Sequence, residues 1–443
     1  MSRAYTFSDL AKSRGVLIAA SLLYAWAIHY AHVEYLDPTW DYYGFTYSAP
    51  DLPGSLLIGG LVLLGAAVLP AVLARPSSIV LLALFIVVYV PTIVITLCLD
   101  VDAVETYGQG LIVFGAAFAV GCLAARARAR RPPLEPGTPS NRFMLVMLAL
   151  WVACTVILVY AYGSVMRFVG LENIYDQREA GRSTSLAMGY LQTYFSNVLG
   201  PALMAFGLLK SRWLLVVLGA IGSLLMFMVS AQRTVFMLPF LIVGLHVILN
   251  TRHVALRTSS FALLALAGVV VLISATHEDN LVSTVFAIYL VYRTLCIPGL
   301  TYSQYYDMFS RDGFTWWSHV KGLNLVIPAP ASYVNDSAWP NLGYVVGDRI
   351  YRSFDMNANA NLYVGDGVAA AGVLGVAVIG CAFAAFLYWL DRSARGWDSR
   401  FALLVLAPMA VTLTNGQLFT TLLSFGGAFW MLTFYLYKPG RYA

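Results

Sequence analysis

Charge is what this 443-residue chain has least of: Asp, Glu, Lys and Arg make up 11% of it, against 60% hydrophobic residues. A mean hydropathy of +0.74 excludes an ordinary water-soluble domain, which carries roughly a quarter of its residues as charges. Lysine is scarcer still, four residues against 23 arginines, so finding Arg at any one position says little. Of only five cysteines, Cys98, Cys122, Cys154 and Cys381 fall in or at the ends of apolar runs, which leaves Cys296 as the external thiol. Neither a disulfide framework nor a zinc site is expected from that. The chain also lacks a GxxxxGK[ST] loop and a GxGxxG between strand and helix, so ATP and sugar nucleotides have no recognisable place to bind.

What it has is long apolar runs. About 20 such residues cross the roughly 30 Å of bilayer hydrocarbon as a helix. Twelve runs qualify, near 15–31, 54–74, 79–99, 109–125, 143–163, 187–209, 213–230, 234–250, 259–275, 363–390, 401–416 and 418–437. The expected fold is therefore all-α: a polytopic membrane protein of about 12 transmembrane helices, residues 1–443 forming one integral domain. Arg3, Lys12 and Arg14 precede the first run and no small-residue cleavage site follows it, so it reads as an anchor and not a cleaved signal.

Basic residues gather in short cytoplasmic loops, and with the amino terminus inside they sort cleanly. The inner side then holds 18 basic and four acidic residues, the outer side nine basic and 18 acidic, for net charges of +14 and −9. Both termini come out cytoplasmic. The longest inner loop, Ala124 to Arg142, has a Pro-rich joint between the first four spans and the rest. Outside lie three longer segments: His32 to Pro53, an Arg-rich loop over 164–186, and a long loop over 276–362. Within the last, Leu281 to Tyr292 is apolar, too short to span and closed by Arg293, and is expected to lie in the interface. A crossing there would invert every later basic loop.

The nine outer cations, Arg167, Arg178, Arg182, Arg233, Arg293, Arg311, Lys321, Arg349 and Arg352, suggest a polyanion site. Arg178 and Arg182 are four residues apart and would share one face of a short helix, able to hold two oxygens of a pyrophosphate. Asp176 and Glu179 offer them local partners instead. Arg233, in Ser230-Ala-Gln-Arg-Thr, stands between two spans with almost no loop, placing its head at phosphate depth, where a plain phospholipid contact is the simpler role. Arg293 sits at a similar depth. For Arg349 and Arg352, pairing with Asp348 and Asp355 is favoured. A guanidinium presents a permanently charged planar fork that matches phosphate oxygens, so several together would stabilise a departing pyrophosphate without a metal.

Aromatic residues crowd the long loop. Tyr305, Tyr306, Trp316 and Trp317 are candidate sugar platforms, although rings at headgroup depth commonly form an interfacial belt. Gly367, Ala371 and Gly375 repeat every four residues, a pattern of close helix packing. Glu34, Asp37 and Asp41 beside Trp40, Tyr42 and Tyr43 read as a solvated acidic loop, with a weaker likeness to the acidic first loop of GT-C lipid-sugar transferases.

About twelve spans, the Arg-rich loop Arg167 to Arg182, the turn Ser230-Ala-Gln-Arg233-Thr, and a long loop running from Arg293 through Tyr305-Tyr306 and Val326-Ile-Pro-Ala-Pro to Asn357–Gly375 together carry a resemblance. Over residues 160–380 the chain resembles the Wzy-type O-antigen and exopolysaccharide repeat-unit polymerases. The resemblance implies a bacterial inner (plasma) membrane enzyme, a metal-independent glycosyltransferase with no cofactor. It would lengthen a polymer of undecaprenyl-pyrophosphate-linked oligosaccharide on the periplasmic side, among membrane lipids, with a chain-length regulator and a flippase as partners and no nucleic acid. Arg178, Arg182, Arg233, Arg293 and Glu179 would be catalytic, with Arg167, Arg349, Arg352, Tyr305, Tyr306, Trp316 and Trp317 on the substrate. External carboxylates able to serve as general base are Glu179, Asp176, Glu278, Asp279 and Asp366, and the sequence does not rank them. An O-antigen ligase or a GT-C-type transferase is the nearest alternative. A lipid-linked oligosaccharide flippase is the alternative of another class, disfavoured by spans nearly free of charge and by the absence of internal repeats.

Overall fold

A computed structural model describes residues 12–127, 136–168, 174–181 and 185–439. Arg182, expected in the polyanion site, lies outside these residues, as do Arg3, Arg128, Arg130, Arg131 and Arg441. Every regular element among the described residues is helical, and only two isolated bridges, Val72 with Thr258 and Gly137 with Trp397, have strand-type pairing.

Among the described residues nine helices are long and apolar enough to cross a membrane, or ten if Leu418–Ser424 and Gly427–Leu436, bent by 57°, count as one. Twelve were expected. Leu52–Val68 and Ser399–Thr414, at 17 and 16 residues, are apolar but shorter, the expected run at 187–209 is helical in three successive pieces and is not among the nine, and Leu281–Asp312 is added. That last helix corrects the sequence reading in one respect: the apolar piece from Leu281 does not stop at Tyr292 but continues through a π-helical stretch, Ala287–Cys296, into a 32-residue helix.

The helices alternate in direction, so the bundle has two ends. The last carbonyls of a helix have no donor within it, and at one end basic side chains supply the donors. Arg14 donates to the carbonyls of Ala66 and Leu69, Arg126 to Ala67, Arg75 to Ala125 and Lys438 to Ser393. Cations are also favoured there by the negative end of the helix dipole. Arg400 reaches Asn250 at the same end. At the opposite end lie the first loop, the Arg-rich loop and residues 313–362.

The packing of α1 (Arg14–Ala31), α2 (Leu52–Val68), α3 (Pro76–Thr96) and α4 (Ala103–Arg126) positions α5 (Leu281–Asp312). Although α5 is long enough to cross, both its termini are at the loop end. Tyr289 meets Arg233, Tyr292 meets Trp40 just beyond α1, Thr96 at the end of α3 donates to Gly299, and Tyr107 in the first turns of α4 donates to Asp307. At its middle Val291, Leu295 and Cys296 are buried. Cys296, read as external, is fully enclosed.

The span Tyr363–Ser393 (α6) is broken. Ala371 (φ −157°, ψ 32°) and Gly372 (φ 57°, ψ −136°) leave the helix, and the left-handed φ at residue 372 favours glycine. The amides of Thr315 and Trp316 donate to the carbonyls of Ala369 and Ala370, both at 2.9 Å, so the long loop supplies what the break would leave unpaired. Gly367 and Gly375 face each other across this break; a Cβ on Gly375 would strike the Gly367 carbonyl. The small-residue stripe is packing, but within one span rather than between two.

Candidate functional site

The loop end brings together some of the expected arginines. The helix Trp213–Ser230 (α7) stops because Ala231 turns left-handed at φ 49°, and Arg233 opens the next helix, Arg233–Asn250 (α8), two residues later. Onto the end of α7 docks the short helix Ile174–Ala180 (α9), through a residue the sequence reading passed over. Buried Gln177 donates from Nε2 to the carbonyls of Val165 (2.9 Å), Met228 (2.7 Å) and Val229 (3.3 Å), and its Oε1 accepts from Arg167 Nε at 2.9 Å. Gly181 lies so close to the Val229 carbonyl that a Cβ would not fit. The element carrying Arg178 and Glu179, both exposed, is thus pinned within a few residues of Arg233. Arg167 is engaged with Gln177 and helps to hold that element.

Arg233 and Arg293, 60 positions apart, converge on one ring. The Arg233 guanidinium carbon lies 4.7 Å from the centre of the Tyr289 ring and that of Arg293 lies 5.9 Å from it. Cation–π attraction of about 0.5–2 kcal/mol each holds them there. Among the described residues the buried Arg233 Nε has no hydrogen-bond partner. Neither arginine pairs with a carboxylate among the described residues. Two guanidinium groups about one ring with no counter-charge between them form a seat for an anion. Tyr289 had been read only as part of an apolar stretch. The four-residue spacing of Tyr289 and Arg293 was the signal that set the two about one turn apart on a helix.

Arg349 belongs elsewhere. It donates to Asp312 at 2.8 Å, to Asp336 at 3.2 Å and to the carbonyl of Ser332 at 2.7 Å, and it lies 4.5 Å from the ring centre of Tyr333. Local pairing was the favoured reading and pairing is found, but with Asp312 and Asp336, not Asp348. Burial pushes the Tyr333 hydroxyl up to about 12, against the opposing pull of Arg349. A recess of about 400 Å³ opens beside this network, lined by Asp336, Asp348, Arg349 and small polar residues. Its acids outnumber its one cation, which is already paired, so it does not suit a polyanion. Arg352 is exposed and ends the helix Leu342–Tyr351 (α10) in a left-handed conformation, φ 52°.

The aromatic candidates divide in the same way. Tyr305 is buried, its hydroxyl donating to the Ala358 carbonyl at 2.9 Å, and serves the core. Tyr306 is half-buried between Tyr302 and Tyr107. Trp316, 53% exposed, and Trp317 both have positive φ, 50° and 62°, in the loop seated on the α6 break.

Of the candidate bases, Asp366 is enclosed. Its Oδ2 accepts from the amides of Leu418 (2.6 Å) and Phe419 (3.3 Å), capping the helix Leu418–Ser424 (α11), and its Oδ1 lies 3.5 Å from His319 Nε2. Both side chains have zero exposure. Asp176, Glu179 and Asp279 are exposed, and Glu278 is 3.7 Å from His277. No protein-family model, curated protein or solved structure matches this chain.

Proposed function

We propose that this chain is an integral membrane glycosyltransferase that polymerises saccharide repeat units carried on undecaprenyl pyrophosphate, working at the loop end as the outer face of a bacterial inner membrane. The observation that carries the reading is the Arg233–Tyr289–Arg293 group with its unpartnered buried Nε. In the reaction an acceptor hydroxyl oxygen attacks the anomeric carbon of the donor, the bond from that carbon to the pyrophosphate oxygen breaks, and the pyrophosphate leaves with the electron pair. The hydroxyl proton passes to a carboxylate, for which Glu179 and Asp176 are the candidates, carried on α9 where it docks at the end of α7. Arg233 and Arg293, with Arg178 from α9, meet the growing negative charge with fixed guanidinium donors, which need no metal. The basic residues gathered at the other end agree with a cytoplasmic placement for it.

A test uses purified protein and a lipid-linked repeat unit without nucleotide or metal, read as a ladder on a gel. The ladder is expected from wild type and absent from folded Arg233→Ala and Arg293→Ala. A second reading, a flippase for the same lipid, is favoured by one observation, the break in α6 with a buried His319–Asp366 pair beside it, since interrupted helices and buried ionisable groups mark transporters. Substrate movement across liposomes with no ladder would select it.

A further inference from the structure

The densest aromatic group at the loop end lies in the segment read as a solvated acidic loop. Trp40 and Tyr292 of α5 are parallel, ring centres 4.0 Å apart and 6° between planes. Tyr43 joins them, 6.2 Å from Tyr292 and 5.7 Å from Tyr351 of α10. Tyr42 lies 6.0 Å from Trp40 and 4.8 Å from Tyr43, and is 73% exposed. Three segments distant in sequence therefore build one aromatic surface. A belt at headgroup depth needs rings at the ends of separate helices, with no such convergence.

The surface adjoins the arginine pair. Tyr292 precedes Arg293 and follows Tyr289 by three residues on the same helix, so platform and anion seat occupy neighbouring positions of α5. We propose that Tyr42, Tyr43 and Trp40 bind the pyranose joined directly to the pyrophosphate, stacking its C–H face, while exposed Asp41 offers acceptors to its hydroxyl groups. This rests on the polyprenyl-pyrophosphate reading above and adds the sugar subsite to it. The two ends of the ligand meet different chemistry: Glu34, Asp37 and Asp41 offer acceptors to the hydroxyl groups of a neutral sugar, while the anionic pyrophosphate falls to Arg233 and Arg293. Stacking reads the apolar face of a ring and not its hydroxyl pattern, so one sugar suffices as a probe.

The experiment compares dissociation constants of the detergent-solubilised full chain for undecaprenyl pyrophosphate and for undecaprenyl-pyrophosphoryl N-acetylglucosamine. Wild type is expected to bind the glycosylated lipid roughly tenfold tighter, the size of about one good stacking contact. Tyr42→Ala and Tyr43→Ala should reduce that ratio to about twofold or less without altering affinity for the bare pyrophosphate, and Tyr42→Phe should keep it. Equal binding of the two lipids by wild type, a ratio untouched by both alanine variants, or a ratio removed by excess phosphatidylglycerol would overturn the platform while leaving the pyrophosphate reading in place. Binding of neither lipid would overturn both.

Discussion

His319 Nε2 stands 3.5 Å from Asp366 Oδ1, with both side chains fully enclosed, where the long loop fills the break in α6. His319 is held from its other nitrogen by Thr315 Oγ1 at 2.8 Å, and Asp366 holds the first amides of α11. The pair therefore ties loop, broken span and the bent pair of helices together. Asp366→Ala would leave the Leu418 and Phe419 amides unpaired in a dry interior, a loss of about 1–3 kcal/mol. Asp366→Asn keeps a carbonyl acceptor for them and should lose less. Thermal unfolding in detergent checks the order, wild type above Asn above Ala; three equal midpoints would refute the cap.

Arginines at the loop end should separate into two kinds. Arg233→Ala is expected to slow chain extension by about 10²–10³-fold, and Arg233→Lys to restore only part, because an ammonium lacks the planar fork. Arg349→Ala removes one donor from each of Asp312 and Asp336, leaving Asp312 with Arg311 and Asp336 with the Ala338 amide, and should cost about 1–3 kcal/mol of stability, with the rate per folded molecule unchanged. Specific activity and unfolding midpoint measured side by side decide this, and equal rate losses in both variants would reject the division.

The Arg349 deficit should not vary across neutral pH. Tyr333 has its hydroxyl raised to about 12 by burial, so its contribution is complete below the unfolded value of about 10 and is lost only as pH rises through about 12. Midpoint differences between wild type and Arg349→Ala taken from pH 6 to 9 are therefore expected to be flat to within about 0.5 kcal/mol.

Gln177 fastens the Arg-rich loop by hydrogen bonds to three backbone carbonyls. Gln177→Ala removes them at a cost of roughly 1–3 kcal/mol and should free α9 from the end of α7. Trypsin cleavage after Arg178 is expected to accelerate several-fold, and Gly181→Ala should do the same by forcing the chain away from Val229. An unchanged cleavage rate in both would mean the loop is held some other way.

Arg352 is tested by its backbone. A left-handed residue with a Cβ is strained by about 1 kcal/mol relative to glycine, the residue helices favour just past their end. Arg352→Gly should raise the unfolding midpoint and leave lipid affinity alone if the side chain only caps α10. A fall in affinity would return Arg352 to the substrate.

The helical class of the fold was legible in the sequence because hydropathy over some 20 residues is a local property, and so was the turn at Ser230–Arg233. The span count was less so. Residues beyond Tyr292 are polar enough to look like loop, yet Tyr302 and Tyr305 are buried against neighbouring helices, and α5 runs on to Asp312. In the candidate site, residue type was readable but partners were not: local pairing of Arg349 was legible from nearby acids, but only packing shows that its partners are Asp312 and Asp336 and that Arg233 and Arg293 share one ring.

By itself the sequence determined a chain that must bury its backbone bonds in helices, with basic residues divided between two sets of loops, because those follow from composition and period. Which cations meet was decided by tertiary structure. Arg233 and Arg293 come together because α5 packs with Tyr289 against the start of α8. That packing depends on contacts between residues distant in sequence, on which no local pattern reports.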